Sequence, residues 1–333
     1  MSKFKFYFIL LITTASIFSC QKDDDDNFTP TPPRDYKTQY DADIAVIEEY
    51  LKSNYIDLRD PNYADKDPII EKITDPATQP SLMSYLDAGS FPSLKTKTVE
   101  QDGIVYTLYY LILREGIGES PCNVDGVFTA YEGSYLYSSV TTTPLVVNSV
   151  MFEKVVIPSD FFSLFSTITG WGETFPEFKT GTSVEHEVNG KPDGTIDYSD
   201  FGAGVMFLPS GLAYYNQIQA SIPSYSPLVF SFKLYDIKRL DQDGDGVPSH
   251  LEDLNNDGYI RVLPATNIDR YVDDTDKDGL PDAFDIDDDG DNYTTKLEIK
   301  DPATGLAYPF DLIPTCTTGT ETKKNYLVPT CHP

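Results

Sequence analysis

The chain has 333 residues, 40% hydrophobic and 13% aromatic, with 53 Asp and Glu against 25 Lys and Arg. That is enough apolar material to bury a core, which excludes global disorder, and the length fits about two or three domains. The formal charge of −28 would repel a phosphate backbone, so nucleic acid is excluded as a partner and metal cations are favoured.

Lys3 and Lys5 precede the apolar run YFILLITTASIFS, residues 7–19, which ends at Cys20. A membrane-spanning helix needs about 20 apolar residues, so this shorter run reads as a secretory signal over 1–19. Ile17-Phe18-Ser19-Cys20 resembles a bacterial lipobox, which implies cleavage before Cys20 and a lipid on its thiol. QKDDDDN, 21–27, places a Lys and then acids directly after that Cys. This resembles the surface-export signal of Bacteroidetes lipoproteins and implies an outer-membrane lipoprotein, exposed at the cell surface rather than on the periplasmic face. With the Pro-rich FTPTPPRDYK, 28–37, the acidic stretch forms a tether over 20–37.

Residues 38–100 read as a partly helical segment. Ile44, Ile47, Leu51 and Tyr55 recur at helical spacing, with Asp41 or Asp43 available as the cap, so an amphipathic helix is predicted that packs on another element. From 57 to 100 the chain is rich in Pro, Asp and Ser and shows no clear period. From 103 the period becomes two: Ile104, Tyr106, Leu108, Tyr110 and Ile112 share a face. VFTAYEGSYLY (127–137) and LVFSFKLYDI (228–237) also read as strands, and the segment after Trp171 as one short helix. The fold class expected is α+β, an antiparallel sheet wrapped on a short helix.

After 239 the composition changes. Residues 241–298 hold 18 acidic against 4 basic side chains, half the net charge of the chain, and such density needs a counterion to fold. DQDGDGVPSHLE, 241–252, places Asp241, Asp243, Asp245 and Glu252 at positions 1, 3, 5 and 12, with Gly246 at position 6. That is the spacing of an EF-hand calcium loop, which turns hard oxygen ligands toward one centre. Asp274, Asp276, Asp278 and Asp285 repeat the scheme, as do Asp287, Asp289, Asp291 and Glu298, with Asn292 in the glycine place. Asp253, Asn255 and Asp257 form a partial loop without an acid at position 12. Pro248 and Pro281 oppose helix–loop–helix hands, and the spacing resembles thrombospondin type 3 repeats, in which calcium replaces a core. A structural Ca2+ module is expected over 239–300, followed by a Thr- and Pro-rich tail, 301–333. In an oxidising compartment Cys316 and Cys331 could close a small loop in that tail and leave Cys122 over, a pairing that spacing leaves open.

Trp171 is the only tryptophan and ends ITGW, 168–171. Tyr131 sits in AYEG upstream, and LAYYNQIQASIPSYSPLVFSFKL, 212–234, follows. In order and character these motifs resemble the FKBP-type peptidyl-prolyl isomerases over about 103–238. The resemblance implies an isomerase domain over 101–238 that twists X–Pro bonds in exported polypeptides with no cofactor for catalysis. Trp171 would be the pocket floor, Tyr131, Ile168, Tyr214 and Phe230 walls, Ile222 the loop over the pocket, and Phe152 with Glu153 the family's phenylalanine–aspartate pair. A further wall falls on Phe161 or Phe162. Departures are Glu153 for Asp, Thr167 for the family's common valine, Tyr215 for the glycine after the loop tyrosine, and an insertion over 182–205. His186, His250 and His332 are scattered, and neither a nucleophile elbow nor a phosphate loop is present. The alternative expectation is an FKBP-like binding module that grips Pro-containing segments without useful turnover.

Overall fold

The computed structural model describes residues 32–139, 145–319 and 321–332. The chain divides into two units, 1–34 and 35–333. Of the first, only residues 32–34 are described, so the signal, Cys20 and the acidic part of the tether lie outside the described residues. The second unit carries everything below.

Helix α1 spans Tyr36–Ser53. Its cap is Asp35, whose carboxylate accepts the Thr38 amide at 2.8 Å, and not Asp41 or Asp43. Asp41 instead pairs with Lys37 on the exposed face, and Asp43 is buried. Ile47 and Leu51 are fully buried as their spacing predicts, and Ile44 packs beside them. Tyr55 falls beyond the helix, in β1 (Asn54–Ile56), which pairs with β2 (Ile70–Lys72).

The main sheet draws on β3 (Ser93–Gln101), β4 (Ile104–Arg114), β5 (Gly126–Ser139), β6 (Val146–Val155), the short β7 (Phe162–Ser163), β10 (Gly202–Leu208) and β11 (Leu228–Lys238). Its order is β3-β4-β10-β11-β5-β6, with β7 beside β5, and every pairing is antiparallel. Both faces are covered. Tyr106, Leu108 and Tyr110 of β4 face a core that includes Trp171 on helix α2 (Thr169–Thr174). Tyr109, Leu111 and Leu113 face a second core beneath α1. A sheet buried on both sides needs apolar residues on both, which is why β4 reads as nearly continuous hydrophobics. β10 is the extreme case, buried at every position between β4 and β11. The insertion is therefore shorter than 182–205. Only β8 (Thr182–Val188) and β9 (Lys191–Ser199) stand out, as an exposed hairpin.

The acidic region has little regular structure beyond α3 (Thr295–Glu298). Pro248 and Pro281 each open a single 3-10 turn instead of a helix. The tail adds the hairpin of β12 (Thr315–Thr318) and β13 (Glu321–Lys324), and Cys316 is bonded to Cys331. Ile313 and Tyr326 of the tail pack with Val247 and Ile299 in a small core, while Cys122 is buried and free. Among the described residues no helix is long and apolar enough to cross a membrane.

Candidate functional site

The aromatic residues singled out in the sequence converge. Trp171 is 5% exposed and takes the edges or faces of four rings: Tyr131 at 5.1 Å, Phe175 at 5.3 Å, Phe230 at 5.4 Å and Phe162 at 5.8 Å. Each pair meets at a steep angle, an arrangement worth about 0.5–1.5 kcal/mol beyond burial. Phe152 stands edge-on to Phe230 at 5.7 Å. Ile168 caps α2 and, with Tyr214, packs half-buried against the cluster, and Ile222 is buried within it. Of Phe161 and Phe162, Phe162 meets Trp171, while Phe161 packs on Phe128.

One polar contact crosses this apolar ground. The Tyr131 hydroxyl donates to Glu153 Oε2 at 2.9 Å. Burial first, and then this carboxylate, push the Tyr131 phenol well above its usual range, so it remains a donor. Trp171 Nε1 is buried and has no hydrogen-bond partner.

The loop that carries Tyr214 is held from behind. Asp43 of α1 accepts from the Ser210 amide at 2.8 Å and the Ser210 hydroxyl at 2.6 Å. Tyr215, where the family has glycine, keeps a glycine-like backbone at φ 48°, and its ring is stacked on Tyr36 at 4.5 Å and edge-on to Tyr225 at 5.1 Å. Ring packing offsets a conformation that L-residues avoid. Sequence reasoning missed the Asp43 contact, because a buried acid at a helix start reads as a cap.

The four acidic loops repeat one hydrogen-bonding scheme. The acid at position 1 accepts the amide at position 6: Asp241 from Gly246, Asp253 from Gly258, Asp274 from Gly279 and Asp287 from Asn292. Position 5 accepts from position 7 in each. Position 6 has positive φ throughout, 110° at Gly246 and 75° at Asn292, which explains why Asn can replace Gly there.

Among the described residues, three groups of acids have ligand atoms within 4.8 Å of one another: Asp274 with Asp276 and Asp278; Asp287 with Asp289 and Asp291; and Asp243 and Asp245 with Glu252 and Asp288. Asp241 stands outside the last group, both its oxygens engaged by the Gly244 and Gly246 amides. Asp285 stands outside the first, where it accepts the Asp287 amide at 3.0 Å. Glu298 is 4% exposed near the second, both oxygens unpartnered. Burial first, then neighbouring carboxylates, push Glu298 up to about 8 and Glu252 up to about 10. Buried, like-charged and unpartnered carboxylates are costly alone and suited to a hard cation.

The module also grips α2. Tyr259, position 7 of the second loop, meets the Glu173 carbonyl of α2 at 3.3 Å and donates to Glu177 in the turn that follows at 2.8 Å, and Lys97 sits 3.3 Å over its ring. Arg261 holds the buried Glu173, two residues from Trp171, through two hydrogen bonds of 2.9 and 3.3 Å. Asn123 and Ile260 exchange a pair of bonds at 2.8 Å. A cavity of about 950 Å³ lies behind α2, lined by Thr169, Glu173, Tyr259 and Arg261 among others. A second, of about 760 Å³, lies beside β9, lined by Phe128, Ile157, Ile196 and Tyr235 among others. Neither opens on the Trp171 cluster.

A model of the family described as BamM C-terminal matches residues 242–323. No curated protein matches. Among solved structures the chain is similar to a peptidyl-prolyl cis-trans isomerase from Pseudomonas syringae pv. tomato, with a TM-score of 0.32 and 15% identity over 62% of this chain and 99% of that one. It is similar to FkpA from Escherichia coli with a TM-score of 0.29 and 23% identity over 45% of this chain, and it spans about half of that protein, 54%.

Proposed function

We propose that the chain is an FKBP-type peptidyl-prolyl isomerase that assists exported proteins, joined to an acidic module braced by structural Ca2+. The observation that carries the reading is the ring cluster on Trp171 with the Tyr131–Glu153 bond across it. Turning an X–Pro bond must break amide resonance, against a barrier of about 18–20 kcal/mol. The twisted imide is less polar than the planar one, so an apolar aromatic floor favours the twist over the ground state. In this reading Trp171 seats the proline ring, Phe152, Phe162, Ile168 and Phe230 exclude water, Ile222 covers the site, and Tyr214 contacts the carbonyl. Tyr131 and Glu153 hold each other and fix the wall. No covalent step is needed.

In the module, Asp243, Asp245 and Glu252, the trio of Asp274, Asp276 and Asp278, and Asp287, Asp289 and Asp291 with Glu298 would hold calcium, which supplies positive charge where a core is lacking. Lipid anchoring at Cys20 and a place at the outer-membrane surface are part of the proposal, supported by residues 1–27.

The test is X–Pro isomerisation of a short peptide followed by exchange NMR, using the chain from residue 28 onward. Acceleration that is lost in Trp171→Leu supports the enzyme; equal rates for both proteins refute it. A second reading, binding without turnover, is favoured by Tyr215, which stands beside Tyr214 where the resembled family has glycine and stacks its ring on Tyr36. It predicts saturable peptide shifts with no rate enhancement in the same experiment.

A further inference from the structure

The first and last acidic loops are separated by more than thirty residues of sequence yet are packed together. Val247 of the first loop meets Ile299, Ile313 and Tyr326, and Lys296 Nζ donates to the Gly244 carbonyl at 2.9 Å. At this seam four carboxylates converge: Asp243, Asp245 and Glu252 from the first loop and Asp288 from the last. Asp288 does not belong to the one-three-five pattern of its own loop. It lies between Asp287 and Asp289, in a turn closed by the Gly290 amide donating to the Asp287 carbonyl at 3.0 Å. Asp287 and Asp289 join Asp291, while Asp288 joins the other loop.

Two observations beyond acidity mark the group as a ligand site. Asp288 and Glu252 are each 1% exposed, and all four of their carboxylate oxygens lack a hydrogen-bond partner. One oxygen each of Asp243 and Asp245 is unpartnered as well. Nearby Asp282 is also 1% exposed, but both its oxygens are bound to Thr275, so burial alone does not leave an acid orphaned here.

We propose that Asp288 is a ligand to the first-loop cation, so that the first and last loops close one calcium centre between them. The proposal rests on the reading of the module as calcium-bound and names a ligand outside the repeat pattern. The donors are all carboxylate oxygens, which suits a hard divalent cation, and contributions from two loops suit the flexible six-to-eight coordination of calcium better than the strict octahedron of magnesium. The centre is a cross-link: it fastens the start of the module to its end.

The experiment is calcium titration of the full chain in detergent by isothermal calorimetry, with thermal melts in calcium and in chelator, on wild type, Asp288→Asn and Asp282→Asn. Asp288→Asn is expected to lose one site or weaken it about tenfold or more, since ligand charge sets affinity. It should melt no lower than wild type in chelator, having shed a buried charge, and lower than wild type in calcium. Asp282→Asn should keep every site. Unchanged calcium binding by Asp288→Asn, or an equal loss of stability with and without calcium, overturns the ligand assignment while leaving the module's other sites. Wild type that takes up no calcium overturns both. Should Asp288→Asn not fold, Asp288→Glu carries the test: its extra methylene displaces the oxygens, and an unchanged affinity overturns the proposal.

Discussion

If the acidic module braces the helix that carries Trp171, cutting that brace must destabilise the sheet core and not merely loosen a surface loop. Arg261→Met removes the guanidinium and keeps much of the stem. Two hydrogen bonds to a buried carboxylate are lost, at 2.9 and 3.3 Å, each worth about 1.5–3 kcal/mol between charged groups. Two facts reduce the loss. The Arg261 side chain is 34% exposed, so solvent screens it, and Lys97 remains 3.3 Å from Glu173. The expected cost is about 1–2 kcal/mol after that discount. Glu173→Gln takes a charged partner from both Lys97 and Arg261 and should cost about 3 kcal/mol or more. The double variant should then fall short of the sum by about 1 kcal/mol, as expected for residues in direct contact. The assay is urea unfolding followed by the fluorescence of Trp171, the only tryptophan and a resident of the braced helix. An Arg261→Met midpoint equal to wild type, or additive single variants, would refute the brace.

Three other outcomes are expected. Tyr131→Phe leaves Glu153 without its donor at the edge of the aromatic floor, so stability should fall by about 1 kcal/mol and the isomerisation rate with it, read by urea unfolding and exchange NMR. Without calcium the module should be more stable in mild acid. Burial lifts Glu252 to about 10 and Asp288 to about 11, so the folded chain holds protons that the unfolded chain releases, and stability falls as pH rises from about 6 to about 8. Asp57, lowered to about 2 by its bonds to Arg59, acts in the opposite sense, but only below about pH 4. Calcium should abolish this dependence, because ligands must be deprotonated to bind; unfolding in chelator that ignores pH would count against the burial. Gly246→Ala forces a residue with a side chain to φ 110° and sets its Cβ 3.1 Å from Ile299 Cδ1, so calcium-bound stability should drop by about 1–3 kcal/mol in thermal melts.

The parts of this molecule legible in the sequence are those in which one residue acts alone. A lone Trp after Ile-x-Gly and alternation along β11 carry their meaning in local spacing, and the structure gathers those rings in one core; of the acids at positions 1, 3, 5 and 12, Asp241 and Asp285 stand outside the convergent groups. What local spacing hides is any residue whose partner lies elsewhere in the chain. Asp43 resembles a cap because caps are local, yet its partner Ser210 is 167 residues away. β10 resembles an insertion because burial on both faces erases alternation. Asp288 is hidden by the regularity of its neighbours Asp287 and Asp289, which serve their own loop. Glu173 carries no motif, and its partners, Lys97 of β3 and Arg261 of the second loop, both lie far from it in the chain. That second loop lacks an acid at position 12, and it is the loop that reaches α2 through Tyr259 and Arg261. The first loop, which has Glu252 at position 12, turns its seventh position, Val247, into the small core with Ile299 and Tyr326 instead. Position 7 is turned inward in both loops, and its residue type, apolar Val247 against hydroxyl-bearing Tyr259, decides whether it meets the small core or the helix of the aromatic site.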